Sequence, residues 1–338
     1  MQKSISFAVC CYNSAKYMEV CLRSLLKGGD EVEIIIVDDG STDDTGRIAD
    51  SYALKFPKIV KAIHQPNGGH GAGIMTALNV ASGKYFKVVD SDDWVNQETL
   101  DILLARIREN REAPDLYITD YQYFKGEEGT PSKRISYSSS LPALKEFSWN
   151  KIGKFNVASY LTLHSCMYET TFIKNLGVSL PKKTYYEDNY FIYKPLPYVT
   201  KAFYLPFVFY CYNVGRPDQS VTKRAGIAHF RDHLAIAKLM FLEHDLYRYK
   251  DNRRLFSLMY HQLRLVFIIA ILHTRMSKDK QAKTILKDFY GDIRAENPRQ
   301  YKRLRYFSAA MPICLPGFVG VGMSHFLYWL AHEVVRFN

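Results

Sequence analysis

Residues 86–94 read Phe-Lys-Val-Val-Asp-Ser-Asp-Asp-Trp, an apolar run that stops in three carboxylates within four residues. Like charges this close repel, and each loses hydration when it is partly buried. Two arrangements tolerate them. One is a solvated turn in which Asp93 caps a helix beginning near Trp94. The other is a divalent-metal site, where the charge of the ion removes the penalty. The cluster has company: Tyr12-Asn13, Asp38-Asp39 and the Gly-rich stretch Asn67-Gly68-Gly69-His70-Gly71 each follow a short apolar run in the same way.

Those runs alternate with helix signals. Ile5–Cys11, Val32–Val37, Val60–His64 and Tyr85–Val89 read as strands, the second a β-branched run of the kind buried on both faces. Between them, Asn13 or Ser14 can cap a helix with Tyr17, Cys21 and Leu25 on one face, and Ser41 or Thr42 can cap the next. A third helix is expected from about Ala72 to Ala81. This rhythm predicts an α/β fold with a largely parallel, doubly covered sheet. Ligands bind such sheets outside the carboxyl ends of the strands, so the four polar clusters should converge on one crevice. That convergence favours the metal reading of Asp90, Asp92 and Asp93 over the solvated turn.

Farther along, Tyr117–Phe124 reads as a strand, residues 126–140 as a surface loop or hairpin tip, and Tyr160–Met167 as a strand followed by a short helix near Thr170–Asn175. A helix should start in Tyr185–Phe191, and Ala202–Leu205 and Val208–Tyr212 read as a strand pair. Residues 225–290 are helical in pattern, with Leu255, Leu258/Met259, Gln262, Leu265/Val266 and Ile269 on one stripe. The apolar run Leu265–Leu272 is too short to span a bilayer. Phe307–Ala331 is long enough, but its prolines and glycines argue for two short amphipathic pieces, the second being His325–Phe337. Lys302, Arg303 and Arg305 beside them suit either an anionic membrane surface or an ordinary packing face.

The chain has 338 residues, a hydrophobic share of 47% and a formal net charge of +11. It is long enough for one large or two ordinary domains, and disorder is excluded. The charge suggests an anionic partner, but no nucleic-acid motif accompanies it, so a nucleic-acid-binding protein fits poorly. The six cysteines show no Cys-x-x-Cys spacing and are expected as buried thiols. No signal peptide is visible, and a cytoplasmic protein, peripheral on the inner membrane face at most, fits best. Oligomeric state, a homo-oligomer included, is left open.

Val9-Cys10-Cys11-Tyr12-Asn13, Val37-Asp38-Asp39-Gly40-Ser41-Thr42-Asp43 and Asp90-Ser91-Asp92-Asp93-Trp94 occur in the order and spacing of the family 2 glycosyltransferases, bacterial members of which build cell-surface polysaccharide. Tyr185-Tyr186-Glu187-Asp188-Asn189 resembles the acidic pair that supplies the catalytic base in that family, and Gly215–Val221 resembles a late basic element. The resemblance covers residues 3–222 and implies a GT-A (Rossmann-like) domain at 1–222, followed by a helical region at 223–338. The chain departs from the family at Cys10-Cys11, where a Pro is usual, and at Ala72-Gly73-Ile74-Met75, where an arginine is usual. His70, Lys87 or Arg216 would then supply the positive charge near a diphosphate.

The resemblance implies metal-dependent, inverting transfer from a UDP-sugar to a hydroxyl of a glycan or lipid-linked acceptor. The ion would be Mn or Mg, on Asp92 with Asp90. Tyr12, Asn13, Asp39, Asn67, Gly68, Gly69, His70, Gly71, Asp90, Ser91 and Arg216 would contact the nucleotide-sugar. Tyr12 would flank the base, Asp39 would accept the uracil N–H, and the glycines would allow close backbone approach. Asp188 would be the general base, with Glu187 its rival, and His164 a packed or supporting histidine. A catalytically inactive sugar-nucleotide-binding relative is the alternative.

Overall fold

In the computed structural model, residues 3–110, 113–125, 129–157, 159–214, 222–307, 311–315, 322–326 and 329 are described. The chain forms two compact units, Met1–Gly153 with Leu161–Gly215, and Lys154–Tyr160 with Arg216–Asn338.

The first unit opens with β1 (Ile5–Cys11), α1 (Met18–Leu25), β2 (Val32–Asp38), α2 (Thr45–Lys55), β3 (Val60–His64), α3 (His70–Val80) and β4 (Tyr85–Val88). Strands β1 and β2 are buried throughout, as their unbroken apolar runs require. These four strands are mutually parallel in the order β3-β2-β1-β4, so their C-terminal ends share one edge. The chain continues through β5 (Trp94–Val95), α4 (Gln97–Glu109), β6 (Leu116–Lys125), β7 (Thr130–Ile135), β8 (Glu146–Phe147), β9 (Cys166–Glu169), α5 (Thr170–Asn175), α6 (Glu187–Tyr193) and β10 (Ala202–Val214). The sheet extends from β4 through antiparallel β9 to the parallel pair β6 and β10, with β5 at the far side.

Several local expectations change. Asn13 does not cap α1. It sits at φ 51° and its side-chain oxygen accepts the Thr42 N–H, while the Ser14 carbonyl receives Tyr17 and Met18. Helix α2 starts later than Ser41 or Thr42, with Asp43 accepting from Thr45 N–H. Asp93 caps no helix: β5 intervenes, and the cap of α4 is Asn96, which accepts from Thr99 N–H. The strand pair at 202–212 is one strand. Pro206, which has no N–H to give, falls in a break of register between Leu205 and Val208. Of the expected strand Tyr160–Met167, only Cys166 and Met167 join the sheet. Residues 163–165 form a turn held by the buried Lys87, which donates to the carbonyls of Leu163, His164 and Cys166 at 2.6, 2.7 and 3.1 Å. Lys87 is therefore committed to the fold and is not available to a diphosphate.

The second unit is helical: α7 (Lys223–Ala228), α8 (Phe230–Glu243), α9 (Arg253–Met276), α10 (Ala282–Glu296) and α11 (Pro298–Tyr306). Residues 154–160 belong with it; His261 on α9 bonds the Ser159 carbonyl at 2.8 Å. Helix α9 is long and apolar enough to cross a membrane, yet 67% of its apolar window is buried among the described residues. Most of 307–337 lies outside the described residues.

Replacing Lys87 with Met should leave three carbonyls without a donor and cost roughly 3 kcal/mol. Urea unfolding of the purified variant would read this as a lower midpoint; an unchanged midpoint would mean that the 163–166 turn holds by itself.

Candidate active site

The strand ends of β1 to β4 bring the four sequence clusters to one edge. At the tip of β2, Asp38 accepts from Ser41 N–H at 3.0 Å and pairs with His64 Nδ1 at 3.0 Å. Burial opposes its charge, but these partners hold its carboxyl below the usual range. Asp38 thus fixes its own turn. Asp39 is 3% exposed and grips the Gly-rich turn: Oδ1 accepts from Gly68 N–H at 2.8 Å and Gln65 Nε2 at 2.6 Å, and Oδ2 accepts from Gly69 N–H at 2.7 Å. One of about four lone-pair positions remains for a ligand. Tyr12, after β1, is 54% exposed, and Asn67, in the Gly-rich turn, is exposed as well. Ser91 is buried, its hydroxyl 2.8 Å from that of Ser14. Arg216 lies outside the described residues.

Deeper in the crevice, His70 bridges two acids. Its Nε2 lies 3.2 Å from Asp90 Oδ1 and its Nδ1 2.9 Å from Glu187 Oε1. Burial alone would discharge the ring, but the two carboxylates raise its pKa well above the ordinary histidine value. Asp90 is in turn held well below the carboxylate range, against burial, by His164 and His70. His164 Nε2 is 3.8 Å from Asp90 Oδ2, its ring stacks on Tyr212 at 4.2 Å between centroids, and its Nδ1 is buried without a hydrogen-bond partner.

The third carboxylate of the cluster is Asp93. It is fully buried, accepting from Tyr210 OH at 2.6 Å and Asn213 N–H at 2.8 Å. Burial, then the charges of Asp92 and Asp90, push its pKa well up. Among the described residues, ligand atoms of Asp90, Asp93 and His164 lie within 4.8 Å of one another. Sequence placed the metal on Asp92 and Asp90; the structure groups Asp93 with Asp90 instead and leaves Asp92 half-exposed. Hard oxygen donors, an imidazole with an orphaned nitrogen and an uncompensated buried carboxylate form a donor set that fits a divalent cation.

Asp188, in the first turn of α6, is half-buried and accepts from the Asn189 side chain at 3.0 Å. Burial, then the neighbouring Glu187, raises its pKa to about 7. Glu187, tied to His70 and 3% exposed, is not free to compete as a base. Sequence reasoning offers His164 only as a packed or supporting histidine and does not single out Tyr210, one of 25 tyrosines.

The strand ends of a parallel sheet thus gather an acidic cluster and a Gly-rich turn, with the first turn of α6 tied to them through His70. Comparison with known proteins identifies the class. Residues 6–173 match the model of glycosyl transferase family 2, and the chain belongs to that family through this segment. It is 35% identical over 131 residues to glycosyltransferase GlyG of Streptococcus pneumoniae, covering 38% of this chain and 42% of the relative. It is 30% identical over 175 residues to the poly(ribitol-phosphate) beta-N-acetylglucosaminyltransferase TarS of Staphylococcus aureus, covering 51% and 28%. The chain thus spans less than half the length of these curated relatives. The crystal structure of S. aureus TarS 1-349 in complex with UDP-GlcNAc is similar in fold, with a TM-score of 0.60 at 21% identity over 89% of this chain and 90% of that one. The fold is of the GT-A class.

If Asp93 is the inner ligand, Asp93→Asn should weaken Mn binding in the presence of UDP more than Asp92→Asn does. Tyr210→Phe, which removes a partner of Asp93, should weaken it about tenfold or more. Electron paramagnetic resonance titration of free Mn measures both, and the reverse order would return the inner position to Asp92.

Proposed function

We propose that the chain is a metal-dependent, inverting glycosyltransferase that moves a sugar from a UDP-sugar to a hydroxyl of a glycan or lipid-linked acceptor in surface polysaccharide synthesis. The observation that carries this reading is the shared crevice. Asp188, near neutrality, feels the charge of Asp90, and Glu187 and His70 link the start of α6 to the strand-end segment of Asp90.

The chemistry divides between the two sides. Asp90, Asp93 and His164 would hold Mn or Mg, with Asp92 on the same turn. When bound, the ion would offset charge on the leaving diphosphate. Tyr12 offers an exposed ring for the base, and the spare lone pair of Asp39 can take a uracil N–H. Asp188 accepts the proton of the acceptor hydroxyl as its oxygen bonds the anomeric carbon. The bond from that carbon to the diphosphate breaks on the opposite face, which inverts the centre. A carboxyl near 7 suits this task because it is basic enough to take a proton and ionised enough to be ready. The named activity of TarS and the UDP-GlcNAc in its crystal structure support a UDP-sugar donor. Cys10, Cys11, Cys21, Cys166 and Cys211 are buried and free, which supports a reducing, cytoplasmic setting.

The second unit supports a membrane partner. Residues 1–221 carry 25 Lys/Arg and 25 Asp/Glu, whereas residues 222–338 carry 20 against 9, so the whole excess of charge belongs to the later part. On α11, Arg299 stacks on Tyr247 at 3.7 Å, Arg303 lies over Phe256 and Tyr260, and Arg305 lies over Tyr290 at 4.1 Å. Exposed Lys302, Tyr306 and Phe307 adjoin this row, Phe307 at 74% exposure. Cations held beside exposed apolar rings suit an anionic bilayer, which rewards both; a soluble polyanion would reward only the charge.

A panel of UDP-sugars with Mn should give transfer, or slow hydrolysis, for at least one donor. Asp188→Asn should lower it by about a hundredfold or more while leaving UDP affinity nearly unchanged. Below pH 7 a growing share of Asp188 is protonated, so kcat/KM should fall about tenfold per pH unit on the acid side. A pH-independent rate in this range would remove Asp188 as the base, and UDP binding without turnover of any donor would favour an inactive relative.

The chain should co-sediment with phosphatidylglycerol vesicles at low salt and not with phosphatidylcholine vesicles. Lys302→Glu combined with Phe307→Ser should weaken that binding by about tenfold or more. Absence of binding would end the membrane reading, and a salt-sensitive gel shift with RNA would replace it.

A further inference from the structure

The Asn67–Gly71 turn has the composition of a phosphate cradle, yet protein fills the space that its glycines leave. A Cβ on Gly69, which has φ +85°, would stand 2.9 Å from the nitrogen and 3.0 Å from the Cα of Lys183. A Cβ on Gly71 would stand 2.9 Å from Glu187 Cγ, 3.1 Å from Leu180 Cβ and 3.2 Å from the Pro181 carbonyl oxygen. The Gly68 carbonyl accepts from Lys183 N–H at 2.7 Å. On its other side, the turn gives the N–H groups of Gly68 and Gly69 to Asp39. It is therefore wedged between the tip of β2 and the segment 180–187, with backbone contacts on both sides.

The facing segment carries a complementary mark. Lys183 and Tyr186 have φ values of 49° and 70°, so two residues with side chains adopt left-handed backbone within four positions. Each such conformation costs about 1 kcal/mol or more and persists only where its surroundings hold it. Helix α6 begins at the next residue, Glu187, whose carboxylate reaches back to His70 Nδ1 at 2.9 Å. Asp188 follows directly. The strained turn, the ion pair and the glycine notches all act on the few residues that aim Asp188.

We infer that Gly69 and Gly71 are positioning residues for Asp188: they admit the 180–187 segment so closely that the nucleotide-side turn and the acceptor-side carboxylate are held as one body. The catalytic consequence rests on the transferase reading above; the structural one does not. Side chains at these positions would push the segment away, and Asp188 with it, while the Asp39 side of the turn stays in place. A displacement of about 1 Å at a catalytic group costs about a hundredfold in rate.

Gly69→Ala, Gly71→Ala and Lys183→Pro test this together. The last deletes the N–H given to Gly68 and cannot adopt φ 49°, and it lies in an exposed stretch, so its effect stays local. Each variant should lower kcat by about tenfold or more with KM for the donor and UDP affinity little changed. Hydrogen exchange should quicken in residues 180–193 and stay as in the parent across β1 to β4. Lost UDP affinity with kcat intact would make the turn a diphosphate cradle and overturn the inference, as would unaltered exchange in 180–193 for all three variants. If the parent transfers no sugar at all, the transferase reading fails, and the exchange data still decide the positioning role.

Discussion

The His70 ring lies between Asp90 at 3.2 Å and Glu187 at 2.9 Å, and the other charges of the crevice arrange themselves around that bridge. The imidazole is stabilised as a cation and Asp90 as an ion, because opposite charges at this range outweigh desolvation. The remaining acids have no such partner. Asp93 and Asp188 are each raised by burial and by a neighbouring acid. Pairing thus sorts Asp90 and Glu187, which meet the His70 imidazole, from Asp93 and Asp188, which do not. Under the proposed function, a cation would meet Asp93 and a proton Asp188.

That sorting needs a rigid frame. Asp90 follows a strand buried on both faces, and Tyr210 receives its N–H while donating to Asp93. Tyr210 is itself fixed by the pairing of β10 with β5, which sets it opposite Val95. His164 reaches Asp90 because Lys87 ties down three carbonyls of its turn. Burial pulls Lys87 down to about 7, and three carbonyl acceptors favour its charged form, so the same low-polarity interior that makes the cluster costly also makes its supports strong. Loss of one support would be felt at the site before it was felt across the sheet.

The sequence made the parallel half of the fold legible because doubly buried strands have no polar alternation to obscure them. Val32–Val37 has one reading, and its terminal Asp38-Asp39 must then lie at the sheet edge. The position of His70 after β3 was legible for the same reason, whereas Asp188 was singled out only through a motif. The rest depends on pairings across long separations. Tyr210 meets Asp93 over more than a hundred residues, and His164 enters through a turn inside an apparent strand. Asn13 looked like a cap because it is the right residue type in the right place. It serves the Thr42 N–H instead, since the β1 and β2 tips lie side by side. The glycines of the 67–71 turn were legible as close-approach positions, but not the identity of what approaches, which is a segment more than a hundred residues away.

The grouping of Asp93 with Asp90 comes from the turn that joins them. Asp93 N–H donates to the Asp90 carbonyl at 3.0 Å, so the chain turns back on itself and brings the fourth residue, not the third, beneath the first. Asp93 then gains Tyr210 and Asn213 as donors, and Asp92 is left half-exposed. Two donors to one buried carboxylate lower the cost of its charge but do not cancel the repulsion from Asp90 and Asp92. The turn is therefore bent toward an arrangement that its own electrostatics disfavour. A cation at this turn would offset the conflict, because it attracts each carboxylate that faces it. The close set of ligand atoms is thus a stronger sign of a metal than the spacing of the acids in sequence.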